Sequence, residues 1–383
     1  KRGNNMKFEI MRDHLLAGLN DVMKAVSSKT TVPILTGIKI DVTNEGVSLT
    51  GSDQDITIQT FIPAEENGEQ IMTITTTGSI VLQARMFNEI VRKLPTNEVE
   101  IEVTNGFATY IRSGKSEFHL IGQDAIEYPL LPEVSAEEQF TIPADLLKSI
   151  IRETVFAVAT SESRPVLTGV NWNIHDGELI CVATDSHRLA RRKTKLEQLP
   201  SGVSSVVIPG KSLNELNKIL GDSTNLVQVV MTNQQVLFKA DNMLFFSRLL
   251  EGNYPDTSRL IPESYQTNVT INGKSLLQAI DRASLLARED RNNVVRFETL
   301  EGNAIEISSN SPEIGKVQEQ IQVESLEGET LKISFSAKYM MEALKAIDGQ
   351  DVIIQFTGAM RPFILRSVHD DAILQLILPV RTY

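Results

Sequence analysis

The sequence predicts an α+β protein made of three tandem copies of one domain, each combining two helices with antiparallel sheet. One observation is a helical segment that recurs three times without a gap, as "ARMFNEIVRKL" (84–94), "GKSLNELNKIL" (210–220) and "AKYMMEALKAI" (337–347). The other is that the segments around it recur in the same order. Each third of the chain is long enough to fold as a domain with its own core.

The elements follow in register. Ahead of the repeated helix lie "HLLAGLNDVMKAV" (14–26), "DLLKSIIRETVFAV" (145–158) and "SLLQAIDRASLLA" (275–287), each with paired leucines and a helical apolar period. Between the two helices come matched strands. "VPILTGIKI" (32–40) answers "RPVLTGVNW" (164–172), and "TGSDQDITI" (50–58) answers "ATDSHRLAR" (183–191). The third copy, "NNVVRFETL" and "SNSPEIGKV", has drifted further. Behind the second helix stand the strands "VEIEV" (99–103), "VQVVM" (227–231) and "VIIQF" (352–356). Boundaries are expected near Ser135 and Glu263, after "EYPLLPE" and "SRLIPE", whose prolines punctuate linkers. This gives domains at 6–135, 136–263 and 264–383, with residues 1–5, ahead of Met6, expected to be an added remnant.

Composition narrows the function classes. Charged residues are 22% and hydrophobic ones 41%, the balance of an ordinary globular protein. No run of about 18 apolar residues occurs, and "MKFEIMRDHLL" lacks the apolar core of a signal peptide, so a cytoplasmic protein with no membrane partner is expected. Cys181 is the only cysteine, which excludes an intramolecular disulfide framework and cysteine-based zinc sites. The five histidines show no metal-ligand spacing, so neither metal nor cofactor is expected. With a net charge of −12, the average surface repels nucleic acid, and any polyanion must meet a segregated basic patch.

The tripeptide Gly-Lys-Ser invites a nucleotide reading. A phosphate-binding P-loop needs glycine six residues before the lysine to start the turn whose amides wrap the phosphates. Ahead of Lys115, Lys211 and Lys274 that place holds Thr109, Ser205 and Asn268. No G-x-S-x-G elbow or dinucleotide fingerprint is present either, so no catalytic constellation is expected and the protein reads as a non-enzyme.

The repeated helix suggests another use for its charge. Each copy places a basic residue seven before another, with Glu between: Arg85, Glu89, Arg92; Lys211, Glu215, Lys218; Lys338, Glu342, Lys345. At about 100° per residue the two cations fall within about 20° of each other. Opposite them stand Phe87, Ile90, Leu94; Leu213, Leu216, Leu220; and Met340, Ala343, Ile347. Each helix should seat this apolar stripe on a sheet and point two cations away from it. One such helix reads as a solvated face with Glu pairing both bases. Three in phase, in an acidic chain, read as a surface aimed at phosphate.

If both helices of each domain line a hole, six helices at about 8–10 Å spacing leave an opening of roughly 7 Å, too narrow for a duplex. Twelve, from two chains, leave roughly 25 Å, which admits B-form DNA about 20 Å across. A dimer closes the right-sized ring.

On these residues the chain resembles the bacterial DNA sliding clamps, the β subunit of the replicative DNA polymerase III. The resemblance runs from "MKFEI" to "LPVRTY" through "VPILTG", "IRSGKSEF", "ATDSHRLA" and "LLEGNYPD". It implies three clamp (processivity-fold) domains, antiparallel sheets outside, two helices per domain lining a central channel, and a head-to-tail homodimer around duplex DNA that makes the polymerase processive. The DNA-facing positions it implies are Lys29, Arg85, Arg92, Arg164 and Lys211, and helical position adds Lys148, Arg152 and Arg282. All would meet phosphate, giving sequence-independent, salt-sensitive binding.

The resemblance also implies a hydrophobic cleft for a short linear motif of the polymerase, the clamp loader and other DNA-processing partners. Its matching positions are Leu167, Thr184, His187, Arg188, Leu189, Pro255, Leu260, Leu376, Leu378, Pro379, Val380 and Arg381. Leucine and proline walls suit apolar anchors, and a polar rim suits a peptide backbone. Two positions depart from the family pattern: Ser186, where Gly is frequent, and the extra Thr382-Tyr383. At the implied subunit contact, Phe118 and Leu120 should meet Leu285 and Leu286 of the partner's third domain, joined edge to edge as strands, with Arg112 and Lys115 facing Glu313 or Glu319. Two readings of other classes stay open, an open DNA-binding protein that does not encircle and a nucleotide hydrolase.

Overall fold

The computed structural model describes residues 5–133, 139–288 and 293–382, so the boundary expected at Ser135 lies outside the described residues. Along them, every α-helix begins at the residue after a strand ends. In the first third, β1 (Met6–Met11) feeds α1 (Arg12–Val22), then β2 (Gly37–Thr43), β3 (Gly46–Ser52) and β4 (Ile56–Pro63). A small hairpin, β5 (Glu65–Glu66) with β6 (Glu69–Gln70), and β7 (Met72–Thr76) follow. Then β8 (Gly78–Gln83) feeds α2 (Ala84–Lys93), β9 (Glu98–Val103), β10 (Ala108–Ser113) and β11 (Ser116–Ile121).

The middle third repeats the order. β12 (Gln139–Pro143) feeds α3 (Ala144–Thr154), β13 (Gly169–His175), β14 (Glu178–Thr184) and β15 (Arg188–Lys195). β16 (Ser205–Pro209) feeds α4 (Gly210–Ile219), β17 (Leu226–Met231), β18 (Gln235–Ala240) and β19 (Met243–Arg248). In the last third, β20 (Thr267–Asn272) feeds α5 (Gly273–Ala287), β21 (Val294–Leu300), β22 (Ala304–Ser311) and β23 (Gly315–Gln322), with β24 (Ser325–Gly328) added. β25 (Lys332–Ser336) feeds α6 (Ala337–Ala346), β26 (Asp351–Phe356), β27 (Phe363–Ser367) and β28 (Ile373–Ile377). The fold is therefore six βαβββ units, two per third, and the repeat is finer than the threefold one read from sequence.

The chain gathers into two compact units. One takes residues 1–145, 200–203 and 215–249 and holds a five-stranded sheet, β11-β10-β9-β1-β7, and an eight-stranded one, β12-β17-β18-β19-β4-β3-β2-β8. The other takes 146–199, 204–214 and 250–383 and holds the nine-stranded β16-β13-β14-β15-β28-β27-β26-β20-β24 and the four-stranded β23-β22-β21-β25. All pairings in these sheets are antiparallel, as expected. The middle third is shared: β19 continues the first third's sheet with Phe245 opposite Ile58, and β15 joins the last third with Leu189 opposite Leu376.

Two details differ from the sequence reading. Pro33–Thr36 and Pro165–Thr168 form single 3-10 turns and only Gly37 and Gly169 begin strands, because the proline ring presets a helical φ and brings no N–H to a ladder. The segments "TGSDQDITI" and "ATDSHRLAR" each enclose a tight turn between two strands. In both, an aspartate carboxylate accepts two backbone amides: Asp53 from Asp55 (3.0 Å) and Ile56 (2.8 Å), Asp185 from His187 (2.9 Å) and Arg188 (3.1 Å). The next residue is left-handed in each, Gln54 at φ 82° and Ser186 at φ 76°.

The glycines of Gly-Lys-Ser have structural work unrelated to phosphate. Gly114 turns the β10–β11 hairpin at φ 58°, and Gly273 opens α5 where a Cβ would lie 2.3 Å from the Gln350 carbonyl oxygen. Gly210 likewise opens α4 directly off its strand.

The apolar stripes are seated as expected. Phe87, Ile90, Leu94, Leu213, Leu216, Leu220, Met340, Ala343 and Ile347 are all 0–6% exposed. In the last third, α5 and α6 close over Phe297, Phe335, Phe356 and Phe363, whose ring centroids lie 5.1–6.5 Å apart. Burying one large side chain contributes about 1.5–3 kcal/mol. Leu216→Ala is expected to cost about 2–5 kcal/mol in denaturant unfolding, whereas Lys218→Ala, on the exposed face of the same helix, should change stability by about 0.5 kcal/mol or less.

Candidate functional site

The second-helix cations are where the phase argument puts them. Arg85, Arg92, Lys211, Lys218, Lys338 and Lys345 are all exposed, on the side of each helix opposite its buried stripe. Side-chain caps start two of these helices, Gln83 accepting the Met86 amide at 2.7 Å and Ser336 accepting that of Tyr339 at 3.3 Å. The central Glu behaves differently in each copy. Glu89 lies 3.6 Å from Arg85, and Glu215 lies 2.9 Å from Lys218. Glu342 instead pairs with Arg188 of β15, leaving Lys338 and Lys345 with no ion pair among the described residues. Arg92 donates to the Asn20 side chain of α1 at 3.2 Å, which ties the first pair of helices together.

The other expected DNA-facing residues divide. Lys29, Arg152 and Arg164 are exposed, and Lys148 is half-buried. Arg282 is exposed but not free, since its guanidinium makes a two-point contact with Glu319 at 2.9 and 2.5 Å. That contact also occupies one of the two carboxylates expected to meet the partner subunit. Arg12, which the sequence reading passed over, donates to the Leu94 carbonyl at 2.6 Å and so closes the C-terminus of α2.

Of the expected cleft residues, Thr184, His187, Arg188, Leu189, Leu376 and Leu378 lie on or next to the paired strands β15 and β28. Leu167, Leu189 and Leu376 are buried at 1–2% exposure, and Leu189 and Leu376 share a cluster with Val182, Ile364 and Leu374 on which Tyr254 and Ile261 pack. His187, Leu260, Leu378 and Arg381 are exposed, with Pro255, Pro379 and Val380 half-buried. The chain end is held on both sides, as Leu378 donates its amide to the His187 carbonyl (3.0 Å) and Val380 donates to that of Ser334 (2.8 Å). Thr184 donates its hydroxyl to the Arg188 carbonyl at 2.6 Å.

Arg188, expected among the cleft positions, is a buried residue. It is 6% exposed, donates to Asp185 at 3.2 Å and to the Phe156 carbonyl at 2.8 Å, pairs with Glu342, and lies 4.3 Å above the Tyr339 ring. It is a buried tie from strand to helices. Four residues further along β15, Arg192 pairs at 2.8 Å with Glu153 of α3, itself 5% exposed. Burial pushes the Glu153 carboxyl up to about 7, against the pull of Arg192 and Arg152.

The expected subunit-contact residues lie as follows. Phe118 and Leu120 stand on β11, an edge strand, and Phe118 is 38% exposed. Arg112 is engaged within its own sheet by Glu100 and Glu102 at 2.6 Å and Glu117 at 2.7 Å, and it holds the Glu100 carboxyl below its usual range. Lys115 and Glu313 are exposed in hairpin turns. Leu285 and Leu286 are not strand residues. They close the 15-residue helix α5, whose buried residues Leu276, Ala279, Ile280, Ala283 and Ala287 follow the helical period, and the edge strand nearby in sequence is β23.

Repeated βαβββ units, with every second helix presenting cations away from its sheet, define a protein of three tandem clamp domains. Family models described as the N-terminal, central and C-terminal domains of the DNA polymerase III beta subunit match residues 6–132, 141–256 and 258–381. The chain belongs to the DNA polymerase III beta-subunit family, the sliding clamps that act as processivity factors in DNA replication. It is 61% identical over 378 residues to the beta sliding clamp of Bacillus subtilis, covering 99% of this chain and all of that one, and 54% identical to that of Staphylococcus epidermidis at the same coverage. The crystal structure of the Bacillus subtilis clamp superposes with a TM-score of 0.96 over 99% of this chain and 100% of that one. A Pseudomonas aeruginosa clamp bound to griselimycin, 25% identical, superposes at 0.90 over 99% of this chain and 100% of that one.

Two outcomes follow. Ser186→Gly should raise stability by about 0.5–1 kcal/mol in denaturant unfolding, because glycine takes the left-handed backbone without a Cβ penalty. Since Glu153 holds its proton more tightly folded than unfolded, its contribution is full below about pH 4.5 and is lost as pH rises towards about 7. Subtracting the unfolding free energies of Glu153→Gln from those of the parent between pH 4 and 8 should reveal this loss, on the order of 3 kcal/mol.

Proposed function

We propose that two copies of this chain close head to tail into a ring that encircles duplex DNA without sequence preference and tethers the replicative polymerase and other DNA-processing proteins. The observation that carries this is the set of three in-phase exposed cation pairs in a chain of net charge −12. Cations that burial forces away from each sheet form the segregated basic surface a phosphate backbone requires. Lys29, Lys148, Arg152 and Arg164 extend it, and Arg282 joins it only through the part of its charge that Glu319 leaves uncompensated.

The exposed edge strands β11 and β23 supply the subunit contact, with Phe118 and Leu120 at its centre and Lys115 and Glu313 at its rim. Two-fold closure satisfies both edges and avoids a filament. The apolar cluster around Leu189 and Leu376, flanked by exposed His187, Leu260 and Leu378, receives the partner's linear motif. That a relative holds griselimycin supports a ligand site on this fold. Domain boundaries fall near 135 and 263, and the protein is not an enzyme. It works on replicating DNA in the cytoplasm, and no helix among the described residues is long and apolar enough to cross a membrane.

The test is topological. Loaded onto a closed circular plasmid, the protein should remain bound in high salt and run off once the circle is cut; equal retention on both forms overturns the ring. The variant combining Arg85→Gln, Lys211→Gln and Lys338→Gln should still dimerise in sedimentation. Its binding to linear duplex should lose about 0.9 of logarithmic salt slope for each phosphate contact removed.

A further inference from the structure

Strand β15 divides its side chains between two faces. Arg188 and Arg192 turn to Glu342 and Glu153 on the helices, while Leu189, Arg191, Lys193 and Lys195 share the other face. Leu189 stands opposite Leu376, and Arg191 opposite Leu374, which in turn faces Arg366 on β27. The same sheet surface therefore changes, within two residues, from the apolar cluster of the peptide cleft to a cationic one.

There the side chains line a cavity of about 410 Å³ with Arg191, Lys193, Lys195 and Arg366 against only two carboxylates, Glu178 and Asp371. Its charge is poorly compensated. Arg366 reaches only Asp371, at 3.9 Å, and the Tyr265 hydroxyl, at 3.4 Å, while Arg191, Lys193 and Lys195 make no ion pair among the described residues. The Nε atoms of Arg191 and Arg366 are buried without a hydrogen-bond partner. Two arginines held together in a half-buried pocket lose free energy unless an anion joins them; in a chain with twelve more acidic than basic side chains, this is an unusual place to gather cations.

We propose that this row is an acidic-residue extension of the peptide cleft, taking Asp or Glu side chains that flank the bound segment. The inference rests on the cleft reading. Arg191, Lys193 and Lys195 follow one another at roughly 6.6 Å, the spacing of alternate side chains on an extended peptide, whereas a compact phosphate would need its cations converging on one point. A peptide anchored at Leu189 and Leu376 reaches Arg191 with about two further residues.

The experiment uses the intact protein and a fluorescein-labelled peptide with leucine and phenylalanine anchors, selected by display on it. The peptide is compared with versions carrying three glutamates at one end or the other. One acidic version should bind about three- to tenfold more tightly at low salt. That gain should fade as salt rises and vanish in Lys193→Gln/Lys195→Gln, which should bind the unextended peptide as the parent does. If the unextended peptide binds but neither extension gains affinity, or the gain survives in the double variant, the proposal falls and the cleft stands. If the unextended peptide is insensitive to Leu260→Ala and Leu378→Ala, the cleft reading falls first. If inorganic phosphate abolishes the gain where chloride of equal ionic strength does not, the pocket belongs to a free anion and the proposal is overturned.

Discussion

Everything functional here hangs on the seating of an amphipathic helix on an antiparallel sheet. In α2, α4 and α6 the apolar stripe is buried, so rotation about the helix axis is settled by burial, and the cations point wherever the opposite face points. Magnitudes show which effect decides. Each buried side chain of the stripe contributes about 1.5–3 kcal/mol, whereas an exposed pair such as Arg85 with Glu89 contributes about 0–1 kcal/mol. The junctions reinforce the choice. A helix that begins on the residue after a strand has no loop in which to turn, and Gly273 with no Cβ lets that junction approach the Gln350 carbonyl.

Strand β15 applies the same economy with a period of two. One row of its side chains ties the sheet to α3 and α6 through Arg192 with Glu153 and Arg188 with Glu342; the other row builds the surface around Leu189. Breaking a buried pair leaves an uncompensated charge, so these ties hold β15 against the two helices even where their net stabilisation is small. Arg188 thus acts from beneath, by fixing the turn at Asp185 and Ser186 that carries the exposed His187.

Sequence periodicity reached the helices, the strands behind them and the exposure of every second-helix cation. It reached the Ser186 departure too, though not its cost: the Asp185 turn places that residue in the left-handed region, where glycine sits more easily. It did not reach the partner of Glu342. Four residues before it and three after it in its own helix stand Lys338 and Lys345, which a local rule would consult, and the actual partner is 154 residues away. Nor did it reach the sharing of sheets between copies. The apolar alternation of β19 looks the same whether it pairs within its own third or with β4.

The chain's sequence by itself determined where the repeated helices and the strands behind them form, which face of each second helix is buried, and that no Gly-Lys-Ser here can be a P-loop, because these are matters of period and near neighbours. Only the tertiary structure decided that Arg188 and Arg282 direct their charge to Glu342 and Glu319, that Leu285 and Leu286 ride a helix end, and that four cations meet beside the apolar cluster of Leu189 and Leu376. Those outcomes depend on which strands pair and in what register, and pairing energy is earned between residues far apart in the chain, where local pattern carries no information.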